Sequence, residues 1–170
     1  MKKLIVFMAL AFAFSGCSNS VSASPEEIAK AYENDFSASV KANFGENESE
    51  MSVIKNSMSI SFSVNYPKEL SGMEIEIFDE HANISYNGME QEIKKDSLPE
   101  RTPFLLLEEL FKELSNPEDF VLSTENGNLI ARSEDFSAAL SAEDFSLISA
   151  EFPLFETKFT FSDFEFSQAE

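Results

Sequence analysis

The sequence predicts a β-rich α+β fold in which about nine or ten antiparallel strands form one strongly curved sheet or partial barrel, accompanied by two helices. Three observations carry this. From Phe36 onward apolar residues recur at every second position over most of the chain, the mark of strands with one buried and one wet face. Helical spacing is confined to two stretches, near 25–34 and 102–114. Asn87-Gly88 and Asn126-Gly127 each separate two alternating runs, where a two-residue hairpin turn needs positive φ.

The chain opens on a targeting segment. Met1-Lys2-Lys3 and the apolar run Leu4 to Phe14 read as a secretory signal, too short to span a bilayer as a transmembrane helix. Phe14-Ser15-Gly16-Cys17 follows as a lipobox, with Phe14 in a place that more often carries a smaller aliphatic residue. The expectation is cleavage before Cys17, the only cysteine, with a diacylglyceryl group on its thiol. That divides the chain into a signal peptide (1–16), an acylated cysteine with a polar tether (17–24) and one domain (25–170). It also predicts an extracytoplasmic protein anchored to the cell membrane through lipid on Cys17, palmitate-type chains being the expected anchor. Ser18 to Ser24 stretches to only about 24 Å, so the domain sits close to its membrane. With its sole thiol acylated the chain forms no disulfide, and stability rests on a packed core.

Ser24-Pro25-Glu26-Glu27 gives a capping box with Pro at the first helical position, and Ile28, Ala31 and Tyr32 continue at helical spacing. Strands follow. Phe36, Ala38, Val40, Ala42 and Phe44 alternate with polar residues, and a second run covers Ser49 to Lys55. In the third, Met58, Ile60, Phe62, Val64 and Tyr66 face one way and Ser57, Ser59, Ser61, Ser63 and Asn65 the other. Pro67 ends it. Met73, Ile75 and Ile77 repeat the pattern, Asp79-Glu80-His81 turns the chain into Ile84 and Tyr86, and Asn87-Gly88 leads into Met89 to Ile93.

Thr102-Pro103 then starts a helix through Leu114. Phe104, Leu107, Leu110, Phe111 and Leu114 form its apolar face, and Leu105 and Leu106 widen that face beyond what a surface helix needs. Either its first turn lies under a loop or the helix is a lid over a cavity. Strands resume at Phe120 to Thr124, Leu129 to Ser133, Phe136 to Leu140, Phe145 to Phe152 and Phe155 to Phe166.

Composition excludes several functions. The formal charge is -19, and loss of Lys2 and Lys3 with the signal makes it -21. So acidic a chain lacks the cationic surface that nucleic acid and anionic lipid surfaces require. One histidine, no free thiol after acylation and no Gly-rich phosphate loop leave no common catalytic constellation and call for no cofactor, so the protein is read as non-enzymatic. His81 reads as a solvated turn residue, and Glu46, Glu48 and Glu50 as an acidic turn without the Asp/Asn and Gly pattern of a calcium loop, so no metal site is expected.

Beyond Pro25 the chain resembles the LolA/LolB-like lipoprotein localisation fold and, more closely, small LolA-like surface lipoproteins of Gram-positive bacteria. The resemblance rests on the early helix before a long first strand, on Lys68-Glu69-Leu70-Ser71-Gly72, on Ile84-Ser85-Tyr86-Asn87-Gly88, on Asp96-Ser97-Leu98-Pro99 ahead of the helix and on Phe161-Ser162-Asp163-Phe164. It implies a half-open barrel with helices covering the concave face, and a hydrophobic surface that accepts acyl chains. Neither Arg101 nor Arg132 aligns with the arginine important inside the LolA barrel, so that role is not carried over. Two functions stay open. In one the half-barrel binds a lipid or a lipoprotein acyl chain, with Phe36, Val40, Phe44, Ile60, Phe62, Val64, Ile75, Tyr86, Phe104, Leu107 and Phe111 as candidate lining. In the other the same residues fill a dry core, and the domain is a structural or regulatory module for an envelope protein partner.

Overall fold

The computed structural model describes residues 23–99 and 101–167. Cys17 and the signal segment lie outside them. Within the described residues, α1 (Pro25–Glu33) starts as the sequence predicts. The Ser24 hydroxyl accepts from the Glu27 amide at 3.3 Å, and the Glu27 carboxylate accepts from the Ser24 amide at 2.8 Å. Two unpaired amides of the helix start are thereby satisfied reciprocally.

Eleven strands then form a single antiparallel sheet: β1 (Phe36–Phe44), β2 (Asn47–Lys55), β3 (Ile60–Tyr66), β4 (Glu74–Ile77), β5 (His81–Tyr86), β6 (Met89–Lys94), β7 (Val121–Glu125), β8 (Asn128–Arg132), β9 (Ser137–Leu140), β10 (Leu147–Phe152) and β11 (Thr157–Phe166). Their spatial order is β6-β5-β4-β3-β2-β1-β11-β10-β9-β8-β7. The chain steps outward from β1 to the β6 edge, crosses to the opposite edge at β7, and steps back until β11 pairs with β1. The crossing element is α2 (Pro103–Leu114). Because its flanking strands sit at opposite edges, α2 has to traverse a face of the sheet. The edges β6 and β7 do not pair, so the barrel is half-open. Register shifts at Ser37/Ser39, Glu50/Met51 and Leu147/Ser149 are bulge-like irregularities that bend the sheet locally.

Both Asn-Gly turns form as expected. Asn87 and Gly88 have φ of 52° and 78°, Asn126 and Gly127 of 52° and 85°, and each pair closes a two-residue hairpin.

The core lies between the concave face and the helices. Phe36, Val40, Val53, Phe62, Ile75, Ile77, Phe152 and Phe159 from the strands join Ile28 and Tyr32 of α1 and the buried side of α2. The broad apolar face of α2 has a simple cause. Leu106, Leu107, Leu110, Phe111 and Leu114 are all buried while Phe104 and Leu105 are half-buried, because a helix lying in a concave trough is enclosed on more than one side. Its C-terminus is tied down by the Ser115 hydroxyl, which donates to the carbonyls of Phe111 at 2.7 Å and Tyr32 at 3.1 Å.

The structure bears out the curved antiparallel sheet, refines its strand count and corrects three readings. Among the described residues there are eleven strands where about nine or ten were expected, since each alternating run forms its own strand, including the four-residue β4 and β9. Met58 does not share the buried face of β3. The Asn56 side chain accepts from the amides of Met58 and Ser59 at 2.8 and 2.9 Å, an Asx turn that leaves Met58 78% exposed. Phe145 belongs to a turn with φ 62°, and β10 begins at Leu147. His81 opens β5 instead of standing in a solvated turn, with its ring stacked on Phe78 at 4.5 Å.

Candidate functional site

The residues proposed to line a cavity divide among distinct places. Phe36, Val40, Phe62, Ile75, Leu107 and Phe111 are buried in the core, at most 4% exposed. Their neighbours are other core side chains. Phe36 meets Phe111 edge to face at 4.8 Å between centroids, and Phe62 meets Phe104 in the same way at 5.3 Å. The middle of the half-barrel is thus occupied by protein.

Phe44, Val64 and Phe104 converge elsewhere, at one mouth of the trough. Phe44 ends β1 before the hairpin turn at Gly45, Val64 comes from β3, and Phe104 sits in the first turn of α2. Together with Tyr66, Leu70 and Met73 they line an open groove of about 450 Å³, with Glu46 and Glu48 on its rim. That volume lies within the roughly 300–1,000 Å³ range of small-molecule sites.

Local structure holds the walls in place. The segment 67–73 is pinned by hydrogen bonds from the Leu70 amide to the Pro67 carbonyl at 3.0 Å, from Met73 to Leu70 at 3.0 Å and from Val64 to Met73 at 2.9 Å. Gly72, at φ +84°, supplies the left-handed backbone that lets its amide reach the Val64 carbonyl at 2.9 Å. Tyr86 latches this segment rather than lining the groove, its hydroxyl donating to the Glu69 carbonyl. On the opposite wall the Thr102 hydroxyl accepts from the Leu105 amide at 3.4 Å and fixes the start of α2.

Among the described residues no histidine, lysine or arginine lines this groove. Its chemistry is apolar contact under an acidic rim. Lys41 stands 2.9 Å from Glu48 and 3.9 Å from Glu50, and its ammonium is held above its ordinary pKa, first by the hydrogen bond with Glu48. Glu48 and Glu50 therefore belong to strand β2 and its cross-strand ion pairs, not to a free acidic turn.

A second groove, about 510 Å³, lies beside the C-terminal half of α2, where Ile60 and Phe111 meet Lys55, Lys95 and Lys112. Two of its ammonium groups are engaged. Lys55 donates to the carbonyls of Glu33 and Asn34 at 3.5 and 3.2 Å, with its pKa lowered chiefly by burial, and Lys95 pairs with Glu108.

One grouping escaped the sequence reading. Carboxylate oxygens of Glu109, Glu113 and Asp135 all lie within 4.8 Å of one another, close enough to share a cation. Glu109 and Glu113 are one helical turn apart, which the sequence shows; that Asp135 approaches them from the turn between β8 and β9 does not follow from spacing. Burial, followed in Glu109 by the charge of Asp135, raises the pKa of both glutamates. The arginines stay outside the trough, Arg101 over the Phe155 ring at 5.3 Å and Arg132 paired with Glu125 at 2.7 Å, both exposed.

No helix among the described residues is long and apolar enough to cross a membrane. No family model matches the chain, and no curated protein matches it in sequence. Solved structures do. An uncharacterised conserved protein from Thermus thermophilus superposes with a TM-score of 0.55 at 12% identity, covering 84% of this chain and 85% of that one. A chain of the complex between the CwlD amidase and the GerS lipoprotein from Clostridioides difficile gives 0.52 at 16% identity, over 77% and 84% of the two chains. A LolA superfamily protein from Nitrosomonas europaea gives 0.41 at 10%, over 84% and 93%. At such identities a likeness shows the fold alone: an open, curved antiparallel sheet with two helices on its concave face, which is the architecture that the LolA-like resemblance implies.

Proposed function

We propose that this protein is a non-catalytic, extracytoplasmic lipoprotein, anchored through acylated Cys17, whose half-barrel holds an apolar ligand such as a lipid or acyl chain at the mouth beside the start of α2. The observation that carries the reading is the apolar groove formed by Phe44, Val64, Leu70, Met73 and Phe104, open where the middle of the trough is filled and free of the lysines that line the second groove beside α2. Each buried methylene contributes about 0.8 kcal/mol, so roughly eight of them give a Kd on the order of tens of micromolar. Glu46 and Glu48 on the rim disfavour an anionic headgroup there and favour a neutral or cationic one.

The test is native mass spectrometry of the Cys17→Ser full chain, purified without detergent, beside a Leu70→Asp variant. Leu70 is 41% exposed, so its replacement leaves the core intact. A discrete added mass, lost on lipid extraction and absent from Leu70→Asp, supports the reading; an unliganded mass that persists after incubation with membrane lipids overturns it. Metabolic labelling with a palmitate analogue tests the anchor, which requires label on the wild type and none on Cys17→Ser.

The filled interior favours a second reading, in which the domain serves as a binding module for another envelope protein. Native mass spectrometry separates the two, since this reading requires no lipid.

A further inference from the structure

We propose that the open edge of β6 is a docking edge for an extended basic segment of another protein, added to the sheet as a further strand. This gives the second reading its surface and rests on neither the mouth groove nor its ligand.

Ladder parity determines what the edge offers. The Asn87-Gly88 turn makes Tyr86 and Met89 a hydrogen-bonded pair, and the Lys95 amide donates to the Glu80 carbonyl at 3.1 Å, in phase with it. Met89, Gln91 and Ile93 therefore direct their backbone polar groups to β5. Those of Glu90, Glu92 and Lys94 point outward, unclaimed by any strand, because β6 ends the sheet.

Charge determines what can occupy it. On the convex face Glu90 lies beside Ser85 and Glu74, and Glu92 beside Asn83 and Glu76, giving two rows that run Glu-Ser-Glu and Glu-Asn-Glu across three strands. A depression of about 400 Å³ runs between them. Among the described residues no Lys or Arg reaches ion-pair distance of these four carboxylates, although Glu76 accepts from the Ser59 hydroxyl at 2.7 Å. Lys94 shares their face at the far end of the strand. On the concave side Ile84, Tyr86 and Met89 border a second depression of about 480 Å³, with Met89 70% exposed.

A strand pairing here places alternate side chains on the two faces. The fitting segment carries Lys or Arg at every second position, against Glu90 and Glu92, and apolar residues at the alternate positions, beside Met89, Gln91 and Ile93. A second copy of β6 fits less well: antiparallel pairing sets Glu90 against Glu92 in one register, and Glu92 against itself in the register that pairs Glu90 with Lys94, and like charges directly across a strand pair are destabilising.

The probe is a fluorescein-labelled peptide of alternating Lys and Val, titrated into the full chain in mild detergent, with an alternating Glu and Val peptide as control. The expected result is saturable binding of the basic peptide alone, weakened about fivefold or more by Glu90→Gln with Glu92→Gln. Compared with Glu92→Gln, which removes the same charge, Glu92→Pro also removes an outward amide without touching the β5 ladder, and weakens binding about five- to tenfold further while the circular dichroism spectrum stays native. In hydrogen exchange the amides of Glu90 and Glu92 gain protection on binding. No binding, equal binding of both peptides, protection confined to other strands, or a folded Glu92→Pro that binds as well as Glu92→Gln overturns the proposal. If Glu92→Pro fails to fold, the exchange pattern of the wild type decides.

Discussion

Glu113→Gln should stabilise this protein at neutral pH and do almost nothing in acid. Glu113 shares the face of α2 with Glu109 and meets Asp135 from the β8–β9 turn, all three carboxylates within 4.8 Å. Two unit charges at that distance repel by about 1 kcal/mol in a water-like dielectric, and more where burial lowers it. Glu113 takes part in two such pairs. Its half-buried position, salt screening, and the charge of Lys112 beside Glu109 bring the expected gain back to about 1 kcal/mol.

The sign follows from the raised pKa values of Glu109 and Glu113, caused first by burial. A carboxyl whose folded pKa lies above its unfolded one binds its proton more tightly when folded. Stability is then lost as the pH rises through the window between the two values, and regained as it falls back. In about pH 4 buffer the two raised glutamates are largely protonated and Gln at 113 has little left to relieve. Scanning calorimetry at about pH 7 should show Tm higher by about 2–4 °C in the variant, shrinking at high salt and vanishing near pH 4. A lower Tm at pH 7, or the same gain at both pH values, would refute the electrostatic account.

Other perturbations test the frame. Ser24→Ala breaks the capping box of α1 and should cost about 1 kcal/mol in urea unfolding, with the slope unchanged. Phe62→Ala empties a fully buried site under Phe104 and should cost about 3–5 kcal/mol; a cost below 1 kcal/mol would mean that the trough is loosely packed there. Tyr32→Phe leaves the Phe145 carbonyl without the hydroxyl that donates to it at 3.0 Å, and should cost about 1–2 kcal/mol by the same assay.

Much of the fold is legible in the sequence where a strand is half-buried. In β1 and β11 the alternation and the burial agree, and the Asn-Gly hairpins have no competing conformation at their positive φ. The reading fails where a local hydrogen bond overrides period, as the Asx turn at Asn56 does to Met58. It also fails where topology decides. Spacing identifies the helix at 103–114, yet only the pairing of β1 with β11 shows that this helix must cross the trough, which turns Phe36, Phe62 and Leu107 from lining into core. Tyr86 is half-buried as its alternation suggests, but its latch to Glu69 depends on a loop path that no periodicity encodes.

The length of that crossing helix explains where the open spaces lie. Twelve residues rise about 18 Å, less than half the width of an eleven-stranded sheet at about 4.8 Å per strand, so curvature alone cannot bring both ends of the trough under α2. The two grooves along α2 are what such a helix leaves uncovered. They differ because α1 lies at only one end. Beside the C-terminus of α2, the last carbonyls of α1 take Lys55 and the backbone of Tyr32 takes Ser115, so polar groups close that side. At the N-terminus no second helix among the described residues lines the groove, and the walls are Phe44, Val64, Leu70, Met73 and Phe104. The apolar ligand proposed for this mouth would take the place that a longer or a third helix would otherwise fill, and lengthening α2 by one N-terminal turn should then close the groove and abolish lipid retention while raising Tm.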